Sequence, residues 1–222
     1  MAPFGKIYSW PGNFRVQRAQ VVAELNGLEL DIPSFDMASS KTPEFLSKFP
    51  MGKVPALECA DGFCLAEGAA ICMYLAGQGP MAPQLLGAEA GPQTTARIAE
   101  WTLFAESELI ANVIPPFIMA VLKIVPYDEA KYESCVVNFD RALKRLDLAI
   151  DGGKKRYLVG GQLTLADIMV AGPLLASFNF LFDAELRKAF PGVVTYLEGL
   201  MEKQEFKNAF GEITKCETRV KA

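Results

Sequence analysis

Histidine is absent from the whole chain. Its absence excludes Ser-His-Asp hydrolysis, Cys-His proteolysis and His-ligated zinc catalysis, since each needs an imidazole to move a proton or hold the metal. Any chemistry must rest on hydroxyls, amides, carboxylates, cations or backbone donors, and no metal site is expected. Cysteine is sparse. Cys59, Cys64, Cys72, Cys135 and Cys216 form no Cys-x-x-Cys pair and read as reduced thiols, mostly buried as small apolar side chains. No window approaches the run of about 18 uncharged apolar residues that a membrane span needs. Lys6 interrupts the N-terminus too early for a signal-peptide core. The expected compartment is the cytoplasm, with no membrane partner. Charge of one sign is also lacking: the net value is −4, and the short basic run Lys154-Lys155-Arg156 sits beside Gly152-Gly153 as an exposed loop. Nothing here attracts nucleic acid.

What is present is apolar. Hydrophobic residues make up 51% of the chain and charged ones 22%, enough to bury a sizeable core. Lys6–Trp10 favours strand and is broken by Pro11-Gly12-Asn13. Apolar residues from Phe14 to Asn26 recur at helical spacing, and Asn26-Gly27 is a stop. Leu28–Ile32 alternates as a half-buried strand. Thr42-Pro43 opens a helix, with threonine at the cap and proline in the first turn. Gly52–Glu58, the turn Asp61-Gly62 and Phe63–Leu65 read as a hairpin, and Glu67–Gly77 as a helix. The order β-α-β-α-β-β-α suits a small mixed sheet with helices packed on it. Gln78–Gly91 is rich in turn formers and reads as a linker, with a boundary near residue 85.

The remainder is helical. Ile98, Trp101, Thr102, Ala105 and Leu109 trace one stripe; Tyr132, Cys135 or Val136, Phe139, Leu143, Leu146 and Ile150 trace another. Thr164 and Asp167 have capping-box spacing, which makes Asp167 structural. Pro173 is expected to kink or end the helix that follows.

Three segments, in order, resemble the glutathione S-transferase family. Val54-Pro55-Ala56 is similar to its cis-proline site. Glu67-Gly68-Ala69-Ala70-Ile71 is similar to the Glu-Ser-x-Ala-Ile segment opening its third helix. Leu158–Ile168 is similar to the capping segment of its sixth helix. The resemblance implies an α+β two-domain fold: residues 1–80 as a thioredoxin-like glutathione-binding domain and residues 90–222 as an all-helical domain. Thr42–Pro50 with Gly52–Ala56, Asp61–Cys64 and Trp101–Glu108 are more similar still to the transferase-like module of the gamma subunit of elongation factor 1B. The sequence stops at Ala222 without the Lys-rich linker and C-terminal domain of that subunit, so the expectation is either a freestanding transferase of that class, which is favoured, or an excised module. Two functions are thus expected: conjugation of glutathione to small electrophiles in detoxification or stress defence, or non-catalytic docking of translation elongation factor subunits. Homodimerisation through the Glu67 and Trp101 helices is implied by the resemblance alone.

The same resemblance supplies the site. Glutathione is the co-substrate. A cis Val54-Pro55 bond would turn the Val54 amide and carbonyl toward its backbone. Amides at the start of the Glu67 helix would take the γ-glutamyl carboxylate. Glu67 would answer the ammonium, and Lys53 the glycyl carboxylate. Gly68 stands where most members have serine, so one hydroxyl is missing. The thiolate needs a donor where the first strand meets the first helix. Tyr8, Ser9, Asn13, Arg15 and Arg18 are the candidates, and Arg15 with Asn13 is favoured. No cysteine lies there, which speaks against thiol exchange; Cys64 and Cys72 read as packing. A small hydrophobic electrophile would sit between the domains near Phe14, Pro115, Phe117 and Met119.

Overall fold

The computed structural model describes residues 3–221. Strand β1 (Gly5–Tyr8) is followed by α1 (Phe14–Leu25), β2 (Leu30–Asp31), α2 (Pro43–Lys48), β3 (Ala56–Cys59), β4 (Cys64–Ala66) and α3 (Gly68–Ala76). The strands form one mixed sheet in the order β2-β1-β3-β4: β1 runs parallel to β2 and antiparallel to β3. Alternation puts Ile7 and Leu57 on the covered face, both fully buried. Burying each aliphatic side chain is worth about 1.5–3 kcal/mol. Gly62, at φ 87°, closes the expected hairpin between β3 and β4.

Two strand expectations need trimming. Only Leu30–Asp31 of the alternating run Leu28–Ile32 pairs as strand. The Leu28 amide still donates to the Ala23 carbonyl of α1 (2.9 Å), and Pro33 follows directly, so little backbone is free to pair. β3 begins at Ala56, after the Val54–Pro55 bond, which is cis as expected.

The expected linker is structured. Helix α4 (Ala82–Leu86) and a 3₁₀ turn (Ala88–Ala90) fill it, and Leu85 is fully buried. Beyond it, α5 (Pro92–Phe104), a π-helical stretch (Ala105–Ile110), α6 (Ala111–Pro116) and a second π stretch (Phe117–Val121) run on as one helix of 30 residues. By length and composition Pro92–Val121 is long and apolar enough to cross a membrane, but Glu106 and Glu108 interrupt it and half of its apolar window is buried inside the protein. Pro115 and Pro116 remove backbone donors inside this helix, where π turns re-register the remaining hydrogen bonds.

Helix α7 (Glu129–Ala149) packs on it, its whole predicted stripe buried. Helix α8 (Leu165–Ser177) is buried along nearly its full length and does not end early at Pro173. Helices α9 (Ala184–Ala189), α10 (Pro191–Met201) and α11 (Gln204–Phe210) complete the helical half. Helix α1 packs against α3 on one side and against α8 and α11 on the other, so its N-terminal turn lies where the two halves meet.

Thr164 and Asp167 form the expected capping box. The Thr164 amide donates to Asp167 Oδ2 at 2.9 Å and the Thr164 hydroxyl to the same oxygen at 3.2 Å. The other oxygen, Oδ1, accepts from the Leu158 amide and the Tyr196 hydroxyl, both at 2.8 Å.

Candidate functional site

Two cavities meet beside the N-terminal turn of α1. The first, of about 790 Å³, lies between the halves and is walled by Phe14, Phe35, Phe117, Ile118, Phe180 and Ile213 among others. The second, of about 550 Å³, runs along Gly52–Pro55 and reaches Glu67 and Gly68 at the start of α3. Trp10, Arg15 and Met37 line both.

Arg15 holds the junction. Its amide is fixed by the Asn13 side chain, which accepts at 3.1 Å and caps α1. Its guanidinium lies 5.1 Å from the Phe14 ring centroid. Among the described residues no carboxylate or carbonyl accepts a hydrogen bond from it. Burial, and then the neighbouring Arg18, hold Arg15 below its ordinary pKa, although arginine stays charged at any working pH. A charged group with five donors, partly stripped of water and internally unpaired, is suited to an external anion.

The other sulfur-donor candidates are committed elsewhere. Asn13 lines the apolar cavity, but its carbonyl caps α1 and its amide donates to the Ser9 hydroxyl at 3.0 Å. Ser9 is buried and lies outside both cavities. Arg18 is fully buried, pairs with Glu106 at 2.9 Å and donates to the Met169 carbonyl at 3.3 Å. Tyr8 donates to Glu58 Oε2 at 2.7 Å; burial and then that carboxylate push its pKa up to about 12, the reverse of what a sulfur-facing donor needs.

Glu58 also takes Lys48 at 2.7 Å, and the lysine, then Tyr8, hold its carboxyl below the usual range. A depressed carboxyl stabilises the fold above its unfolded pKa, and that contribution fades as pH falls through the folded value. Both partners are partly exposed, so the pair is worth under about 1 kcal/mol. Lys48→Met is therefore expected to lower the urea midpoint slightly at pH 6. The difference from the wild-type chain should shrink towards nothing as the pH is taken down through the Glu58 titration. A gap that persists undiminished in acid would remove the ion pair as its cause.

At the second cavity, Lys53 is exposed and Val54 half-buried along one wall. Glu67 holds φ 69° and ψ 114°, a conformation that costs a non-glycine residue about 1–3 kcal/mol, and its side chain makes no capping bond to α3. Lys41 also lines this cavity and donates to the Gly52 carbonyl at 3.4 Å. It went unnoticed in the sequence, where it reads only as a solvent lysine before a helix cap. Cys72 is the fully buried packing thiol expected, its pKa raised to about 11 by burial. Cys64 departs from expectation: it is half-buried and lines the second cavity. Of the residues expected around the electrophile, Phe14 and Phe117 line the apolar cavity; Met119 is buried in the core and Pro115 lies outside the lining.

A four-stranded mixed sheet with a cis proline, joined to a helical half by a shared cleft, fits the two-domain fold that the resemblance implied. The family's N-terminal domain model matches residues 3–77 and its C-terminal domain model residues 109–204: the chain belongs to the glutathione S-transferase family. It is 42% identical, over 95% of its length and 94% of the relative's, to the glutathione S-transferase-like protein LUC7 of Fusarium. It is 33% identical to elongation factor 1-gamma of Danio rerio over 96% of this chain but only 47% of that protein. Among solved structures, glutathione S-transferase-I bound with lactoylglutathione superposes over 94% of this chain and 99% of that one, with TM-score 0.81 and 25% identity. The GST-like domain of elongation factor 1-gamma from Saccharomyces cerevisiae covers 99% of both chains at TM-score 0.82 and 22% identity, which speaks for the fold.

Proposed function

We propose that this protein conjugates glutathione to apolar electrophiles. The observation that carries the reading is the junction: a peptide-sized polar cleft and a larger apolar cavity share one wall, and Arg15 stands in it without an internal partner. Glutathione would lie along Val54, pairing its backbone with that residue's amide and carbonyl. The N-terminal amides of α3 would take its γ-glutamyl carboxylate, Glu67 its ammonium, and Lys53 with Lys41 its glycyl carboxylate. The thiol would then face Arg15, with Asn13 and Ser9 holding the arginine's turn in place. The thiol proton leaves to solvent. The sulfur lone pair forms the C–S bond, and the electrophile either expels its leaving anion or, when it is a conjugated double bond, takes up a proton from water.

The test is Arg15→Ala. A cation a few ångströms from sulfur in a partly wetted site is worth about 1–2 pKa units. The variant's bound thiol should titrate higher by that amount, and kcat/KM with a chromogenic aryl halide at pH 6.5 should fall about 10- to 100-fold. An unchanged ultraviolet titration of the bound thiolate would remove Arg15 from the chemistry.

One observation favours a second reading, a non-catalytic docking module: nearly the whole chain aligns with elongation factor 1-gamma. Folded protein that neither turns over aryl halide nor is retained on immobilised glutathione, yet co-purifies with an exchange-factor subunit, would decide for it. Self-association is part of either reading. It is supported by the exposed Met73 on α3 and Leu103 on α5, the helices expected to pair.

A further inference from the structure

Gly68 is a glycine for which the backbone gives no reason. It opens α3 with an ordinary negative φ, and a glycine in a helix is unfavourable relative to alanine. Gly12, Gly62 and Gly91 are the opposite case: each holds a positive φ with open space where a side chain would go. At Gly68 the constraint is space. A Cβ built there would stand 3.3 Å from Arg15 Cβ, 3.4 Å from Arg15 Cδ and 3.5 Å from Pro55 Cγ. The stem of Arg15 therefore lies across the first turn of α3, pressed against the Gly68 backbone. One turn further along α1 the arrangement repeats. A Cβ on Gly172, also without a positive φ, would fall 2.6 Å from Arg18 Cδ, so that glycine clears the path of the second arginine. Arg18 is the buried, paired member; Arg15 is the one left at the cavities.

We propose that Gly68 is a positioning residue: its missing side chain is what lets Arg15 cross the start of α3 and present its guanidinium at the junction of the two cavities. A side chain at 68 would press on the Arg15 stem more tightly than ordinary contact allows, so the arginine would have to give way from its observed course. The serine hydroxyl common at this position elsewhere in the family is then exchanged here for an arginine reaching over the same helix start. The inference rests on the glutathione reading above.

The experiment compares wild-type protein with Gly68→Ala, Arg15→Ala, Arg15→Ala/Gly68→Ala and Arg15→Ala/Gly68→Ser. Thermal melts confirm that each is folded. For each, the thiolate absorbance of bound glutathione is titrated, and KM for glutathione and kcat are measured with a chloro-dinitrobenzene. Gly68→Ala, by displacing the arginine, should raise the bound thiol's pKa in the same direction as Arg15→Ala and leave several-fold less thiolate at pH 6.5. The double alanine variant should lose little more than Arg15→Ala alone, because both changes remove one arrangement. With the arginine gone there is room for a side chain, so Arg15→Ala/Gly68→Ser should bind glutathione several-fold more tightly than Arg15→Ala. A merely structural glycine would shift the melt and leave the titration alone. A wild-type titration in folded Gly68→Ala, losses that multiply in the double variant, or no recovery with serine would each overturn the inference while the glutathione reading stood. Wild-type protein that binds no glutathione would overturn that reading, and the inference with it.

Discussion

Asp167→Ala is expected to cost about 4–5 kcal/mol of folding stability. The carboxylate is completely buried and accepts four hydrogen bonds, two from backbone amides and two from hydroxyls. Truncation orphans all four donors at once, and a buried donor without a partner costs about 1–3 kcal/mol. The hydroxyls of Thr164 and Tyr196 can rotate; the Leu158 and Thr164 amides cannot. The carboxylate also ties the start of α8 to the chain before it and, through Tyr196, to α10, so the loss falls on three segments together. Against a typical total of 5–15 kcal/mol this is a large share, and soluble yield should fall steeply. Asp167→Asn keeps the shape but turns an amide donor towards donors, and should lose about 2–3 kcal/mol. Urea unfolding of the three proteins checks both. An Asn variant as unstable as the Ala variant would mean that charge, not acceptor count, is what the site requires.

That carboxylate was legible before any coordinates, because a capping box is a local device: both partners lie within one turn and the spacing names them. The same holds for Thr42 on α2 and the hairpin glycine; the cis proline was expected from the family resemblance alone. Asn13 was half legible. An asparagine directly before a helix is first of all a cap: capping takes its side-chain oxygen, and the amide N–H that the sulfur hypothesis needed donates instead to the Ser9 hydroxyl. What sequence could not show is where distant elements press together. The Arg15–Gly68 contact joins the start of α1 to the start of α3. The short β2 depends on how much backbone α1's end withholds from pairing. The apolar cavity was half legible, Phe14 and Phe117 but not Pro115 and Met119, for a different reason. Helical periodicity assigns faces by a 3.6-residue count, and two π stretches within Pro92–Val121 shift that phase. Phe117 and Ile118 consequently reach the cavity while Met119 turns into the core.

Glu106→Gln should move stability and thiol acidity in opposite directions. Glu106 projects from the first π stretch to Arg18, whose side chain has no exposure at all. The guanidinium has the Met169 carbonyl as its other acceptor, and its Nε has none. Glutamine keeps an acceptor oxygen but leaves a buried cation uncompensated. Breaking such a pair on one side costs about 3–5 kcal/mol when both groups are buried. The Glu106 side chain is 32% exposed, so water recovers part of this and about 2–3 kcal/mol is expected, read as a lower urea midpoint at unchanged slope. Arg18→Met/Glu106→Leu, which removes both charges, should regain most of the loss. Arg18 also stands one turn from Arg15 and already acts on it electrostatically, while Glu106 offsets that effect. Removing the offset makes the junction more positive, so the bound thiol should titrate lower, by about half a unit at ordinary salt. General loosening of the fold would wet the site and raise that value. A less stable protein with a more acidic thiol is therefore an outcome that only the field of this arginine pair predicts, and a rise in the thiol's pKa would show that Glu106 acts on the site through structure alone.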